Sequence, residues 1–201
     1  MKNLLRFKYR PFHQFPFCCV PTTLQWILYR RGFDILDPMT IGSELGLRIP
    51  EKFAKFIDED TIKEGKVKIM PKGTDSKNFG TQIFNKGYSI NGFFQKYNIP
   101  LKISEQYFFD NEKDLENFFL ENLTDEKDVI IRFHTEIFLP NSPKYGGHFS
   151  VIADYDQKTK TVVVGDPEPP NFKEATLQQI LLAITDKQDG IQRGFFVVEN
   201  R

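Results

Sequence analysis

Apolar residues recur at helical spacing through the first half of the chain and switch to strand-like runs in the last third. Leu24, Ile27 and Leu28, with Arg31, mark one face of a helix predicted from about Pro21 to Arg31. Pro21 suits a first helical turn and Gly32 stops it. Asp37-Pro38 opens a second short helix through Leu45, ended by Gly46. Residues 50 to 80 are charged and weakly patterned: a short helix around Lys52–Ile57 is predicted, then a loop rich in Lys, Gly and Asp. A loop of that length in a compact domain is commonly functional, and residues 58 to 78 are a candidate flap. Ser89 caps a helix reaching Tyr97, and Leu101–Ile103 begins a strand beyond Pro100. Leu115, Phe118, Phe119 and Leu123 return to helical spacing.

The period then changes. Asp128 to Phe133 is one strand, and His148–Tyr155 and Thr161–Asp166 form a hairpin around Asp156-Gln157-Lys158-Thr159. Thr176 and Gln179 have the spacing of a capping box, for a helix with Leu177, Ile180, Leu181 and Ile184 inward. Gly194 to Val198 closes the sheet. The first seventeen residues alternate basic and aromatic types and read as an extended lead-in. Helices come first and antiparallel strands last, an α+β order. With no internal repeat and no linker, one domain is expected over residues 1–201.

Composition narrows the function classes. Lys+Arg and Asp+Glu both total 27, so the chain lacks the basic field that nucleic-acid binding uses. No segment approaches the length of a membrane span, and the opening residues lack the apolar stretch of a signal peptide. The 21 Phe residues supply an aromatic core. The two cysteines, Cys18 and Cys19, are neighbours. A bridge between neighbours closes a strained ring, so free thiols and a cytoplasmic compartment are expected, with export lacking a cleaved signal left open.

The chemistry lies in three separated residues. Cys19 stands at the mouth of the first long helix, His148 follows Gly146-Gly147 at the start of a strand, and Asp166 closes the next strand. A helix N-terminus favours a thiolate, and a neighbouring imidazolium favours it further. Pairing His148 directly across from Asp166 centres the hairpin on Gln157, inside the turn chosen from composition, and sets Ser150 against Val164. Cross-strand partners share a face, which a one-residue slip would undo. The acid would then fix the imidazole tautomer. Cys19 as nucleophile, His148 as general base and acid, and Asp166 as orienter make a complete acyl-transfer set. The backbone N–H of Cys19 and the amide of Gln14 are candidate oxyanion donors. No metal or organic cofactor is required. Each residue also has a plain structural role open to it: an inert buried thiol, a strand-end histidine, a turn-opening Asp166-Pro167. Cys18 reads as structural. His13, Cys18, Cys19 and His134 could together hold zinc, although their spacing fits no standard finger.

The segment CVPTTLQWILYRRG, Cys19 to Gly32, is similar to the nucleophile helix of C39-like peptidases, in which Cys-Gly-Pro-x-Ser-Leu leads an apolar helix ended by Gly. GGHFSVIADYDQKTKTVVVGDP, Gly146 to Pro167, resembles the His-strand-turn-strand-Asp element of the same group and of phytochelatin synthases. GIQRGFFVVENR resembles the last strand of the latter's catalytic domain. The resemblance implies a papain-like fold, with a nucleophile helix packed on an antiparallel sheet, and the roles given above for Cys19, His148 and Asp166. Such families place a Gln shortly before the Cys. Gln14 lies five positions before Cys19, and the usual position without a gap falls on His13. Gln14 is favoured because its amide donates in any protonation state. Val20 stands where the families carry Gly, and Pro167-Glu168-Pro169-Pro170 stands where phytochelatin synthases carry a substrate-holding Arg, which turns expectation away from glutathione chemistry. The implied activity is a cysteine peptidase or amide hydrolase acting on a peptide or protein through a thioester. The alternatives are an acyltransferase or deamidase with the same residues, or a peptide-binding domain without turnover. Specificity is expected in residues 50 to 80 and 136 to 146.

Overall fold

The computed structural model describes residues 5–75, 78–134, 147–185 and 192–201. A 3-10 turn at Leu5–Lys8 opens the described chain, and an irregular lead-in delivers it to α1 (Cys19–Arg30). α2 (Pro38–Glu44), β1 (Arg48–Pro50), a 3-10 helix (Glu51–Phe56), α3 (Glu59–Lys63), β2 (Lys68–Met70) and α4 (Ile90–Lys96) follow. Then come β3 (Leu101–Ile103), α5 (Glu112–Asn122), β4 (Lys127–Phe133), β5 (His148–Asp156), β6 (Thr161–Pro167), β7 (Pro170–Thr176), α6 (Leu177–Thr185) and β8 (Gly194–Asn200). β3 through β8 form one sheet in the order β3-β8-β4-β5-β6-β7, every neighbour antiparallel. The chain is α+β.

Alternation along the strands gives this sheet two apolar faces. Ile130, Phe149, Val151, Val163 and Phe196 meet α1, α2 and α4 on one side. Val129, Ile131, Phe133, Ile152, Val164 and Phe195 meet α5 and α6 on the other. α1 is the central element. The sequence marks one apolar face on it, yet every residue from Val20 to Leu28 is buried. Sheet residues cover one side, and Ile41 of α2 with Leu45 just after it another, so most of its polar side chains find partners inside. Thr23 Oγ1 donates to the Phe149 carbonyl at 3.1 Å, Gln25 Nε2 to Leu36 at 2.9 Å and Trp26 Nε1 to Phe12 at 3.1 Å.

Four sequence expectations are corrected here. Residues 58 to 70 are not a loop: α3 and β2 fill them, and β2 pairs in parallel with β1, Ile49 opposite Ile69. These elements are too short to show a period, and they are held by a satellite core of Cys18, Met39, Leu47, Ile49, Ile57 and Val67. β7 was not expected, because prolines and charges hide a half-exposed edge strand. β8 does not close the sheet but lies inside it, between β3 and β4. The hairpin register also differs from the direct pairing, as set out below. Of the expected caps, Asp37 accepts from the Met39 and Thr40 amides, Ser89 from Gly92, and Thr176 and Gln179 exchange both bonds of a capping box. Among the described residues no helix is long and apolar enough to cross a membrane.

At its C-terminal end α1 is tied to β4 by charge. Arg30 and Arg31 both bond the buried carboxylate of Asp128, the latter at 2.6 Å, and the Tyr9 hydroxyl donates to it at 2.7 Å. Burial and the neighbouring Asp128 push the Tyr9 phenol well up. Removing the acid strands two guanidinium groups in the interior. Asp128→Ala is expected to cost about 3–5 kcal/mol in denaturant unfolding, and a loss below about 1 kcal/mol would show the network to be incidental.

Candidate active site

Cys19 is the first residue of α1, partly exposed, and Cys18 is the residue ahead of it. The chain arrives through a tight turn, Cys18 N–H donating to the Phe15 carbonyl at 2.9 Å. Pro16 and a left-handed Phe17 (φ 67°) occupy its centre. That is the pattern of a type II turn, in which the left-handed position favours Gly. The strain of a bulky left-handed residue is offset by packing: the Phe17 ring meets Phe53 at 5.4 Å and Phe79 at 5.5 Å. The turn drops Cys18 into the satellite core, where burial and then the adjacent Cys19 push its thiol well up.

His148 begins β5 and Asp166 lies one residue before the end of β6. Their expected direct pairing is corrected. Val151 pairs with Gly165 and Ile152 with Val164, a register that carries Ser150, not His148, to the place across from Asp166. Two features set it: a turn later than expected, with Lys160 left-handed and Asp156 Oδ1 accepting from Lys158 N–H at 2.9 Å, and a bulge between Ile152 and Asp154 that takes back part of that shift. The displacement is by two positions, so His148 and Asp166 keep the same face and meet on the diagonal. His148 Nε2 lies 2.7 Å from Asp166 Oδ1 and donates to it, both side chains buried. The Phe133 ring stands edge-on to the imidazole at 5.4 Å.

Cys19 interacts with the same imidazole, so the thiol, the ring and the carboxylate are brought together. Burial opposes a charge on His148. The bond to Asp166 and the nearby Cys19 sulfur outweigh it and push the imidazole up to about 10. Burial likewise opposes charge on Asp166, and His148, Lys173 and the Glu168 N–H outweigh it and hold the carboxyl below its ordinary value. That N–H donates to Asp166 Oδ1 at 2.9 Å, and the Lys173 ammonium contacts Oδ2.

Gln14 is buried beside this corner. Its N–H donates to the Pro167 carbonyl at 3.2 Å and its side-chain amide donates to the Glu168 carboxylate, while its Oε1 is buried without a partner. His13 is exposed and bonds the Gln14 carbonyl through Nδ1 at 2.7 Å. His13, Gln14, Phe15, Pro16 and Phe56 line an open, mostly apolar groove of about 400 Å³. Among the described residues no three His, Cys, Asp or Glu gather as a metal site, so the zinc alternative through His13, Cys18, Cys19 and His134 has no cluster behind it. Gly146 and the loop over 136 to 146 lie outside the described residues. Sequence reasoning missed Phe17, Glu168 and Lys173. Lys173 was open to discovery only once β7 was recognised, since its register opposite Val164 puts it diagonal to Asp166.

A helix-leading cysteine thus stands beside a carboxylate-held imidazole on an α+β scaffold. The chain belongs to the Peptidase_C39 like family, whose model matches residues 5–181 and so spans Cys19, His148 and Asp166. No curated protein matches the chain significantly.

The site's charge makes stability depend on pH. An unfolded imidazole titrates near 6.5 and the folded one near about 10. Between those values the folded state holds the extra proton, so the stability from this group is full below about 6.5 and is lost as pH rises toward about 10. His148→Gln is expected to flatten the alkaline decline in unfolding free energy measured by denaturant titration across pH. Parallel declines in variant and parent would contradict this.

Proposed function

We propose that the protein is a cysteine-dependent amide hydrolase of papain-like fold, with Cys19, His148 and Asp166 as its catalytic residues and a peptide or protein as its substrate. The observation that carries the proposal is the single imidazole bonded to Asp166 at 2.7 Å and facing Cys19 at the head of α1. Asp166 engages Nε2, which leaves Nδ1 to serve Cys19. Cys19 attacks as its thiolate, with the thiol proton passed to His148. The Cys19 sulfur attacks the amide carbon, the carbonyl π-electrons pass to oxygen, and the collapsing intermediate expels the amine as His148 gives it a proton. A thioester remains. His148, now neutral, takes a proton from water, the hydroxide attacks the thioester, and the thiolate leaves with the acid released.

The oxyanion forms beside the first turn of α1, where the Cys19 backbone N–H is one of the helix's unsatisfied donors. Gln14 supplies a second donor once its amide turns from Glu168. No cofactor enters these steps. Two free thiols suit a reducing, cytoplasmic setting.

Cys19→Ala is expected to abolish release of product from peptide substrates with the fold intact, and Gln14→Ala to lower kcat by about 10²–10³-fold. Retained turnover in Cys19→Ala ends the proposal, and an unchanged kcat in Gln14→Ala removes the oxyanion assignment alone. Product mass in the presence of added amines separates hydrolysis from acyl transfer.

A further inference from the structure

The described part of the edge strand β7 holds a lysine that turns inward. Lys173 is largely buried, its side chain 17% exposed, and its ammonium meets Asp166 Oδ2. Lysines on edge strands ordinarily stand in water, where they discourage pairing with other chains. This one gives up most of its hydration to face a single carboxylate, a burden that a neutral side chain filling the same space would avoid. Around Asp166 the bonding is complete: His148 from β5 and the Glu168 N–H engage Oδ1, and Lys173 from β7 engages Oδ2. The carboxylate cannot rotate without losing partners. Among the described residues, the charged or titratable groups facing His148 are Asp166 and, from α1, Cys19. Glu168 turns its own carboxylate to Gln14 of the lead-in.

We propose that Lys173 is a positioning residue of this site, pinning Asp166 and offsetting its charge so that His148 faces a neutral pair rather than a bare carboxylate. The proposal rests on the His148–Asp166 pair assigned above. Its chemical sense concerns the proton that His148 must release to the leaving amine. A bare buried carboxylate holds that proton more tightly, and a general acid works best when its proton is not over-held. The Lys173 charge acts against the imidazolium through Asp166, while the bond that it makes keeps Oδ1 aimed at Nε2. An uncharged amide in the place of Asp166 would aim the ring as well, and the Asp166–Lys173 pair approximates that neutrality with two charged side chains.

The test is an NMR titration of the three histidine rings in the full chain, comparing the parent with Lys173→Met, Lys173→Gln and Lys173→Arg. Losing the cation removes a repulsion and leaves the whole carboxylate charge to the ring, and both effects act in one direction. The His148 pKa is therefore expected to rise by about one pH unit in Lys173→Met and Lys173→Gln. It should stay at the parent value in Lys173→Arg, with His13 and His134 unmoved in all. A folded neutral variant whose His148 titrates as in the parent overturns the proposal. So does collapse of the fold in both neutral variants, which would make Lys173 a support of the sheet edge. The ring titration does not depend on turnover. An inert Cys19 would sink the hydrolase and leave this result standing.

Discussion

The site depends on how closely α1 can approach β6, and that distance is set by Trp26 resting on Gly165. A Cβ added at Gly165 would lie 2.6 Å from the Trp26 ring and 2.7 Å from a Val151 methyl, so no larger residue fits without moving the helix or the strand. Trp26 is fully buried, anchored by its bond to the Phe12 carbonyl and edge-on to Phe172 of β7. Gly165 immediately precedes Asp166, and Trp26 shares its helix with Cys19. One packing contact therefore sets the spacing between the element that carries the sulfur and the strand that carries the acid. Dense interiors transmit such constraints because they leave no slack to absorb a shift.

Charge secures what packing sets. Each end of α1 meets a buried carboxylate. At the C-terminal end Asp128 gathers Arg30, Arg31 and Tyr9, and at the N-terminal end Asp166 gathers His148 and Lys173. The first arrangement has cations from the helix and an acid from β4, and it fixes the axial position of α1. The second has its members on three strands, with Cys19 touching it through the imidazole. Both draw positive charge around a buried acid, as buried ions require. They differ in that His148 carries a proton which it can give away.

Much of this was legible in the sequence because it follows from local chemistry. Pro21 and Gly32 bracket the visible part of α1, Thr176 and Gln179 announce a helix start, and the composition of the β5–β6 turn locates a hairpin. Cys19, His148 and Asp166 were singled out from those positions, and they do come together. What was hidden is what depends on neighbours distant in sequence. The later turn and the bulge in β5 together shift the register by two, and only the even size of that net shift kept His148 and Asp166 on one face. Pro170, Lys173 and Glu174 disguise β7 as a loop. The left-handed Phe17 breaks the expectation of Gly at such a turn, and only the surrounding Phe53 and Phe79 explain how it is held.

The most direct measurement of the central claim is labelling of the folded protein near neutral pH with an electrophilic mimic of a peptide amide, followed by mass mapping of the modified residue. Rapid modification at Cys19, none at the neighbouring Cys18, and a large loss of rate in His148→Ala is the outcome expected of a sulfur activated by the imidazole. Equal, slow modification of both cysteines, indifferent to His148, would contradict it.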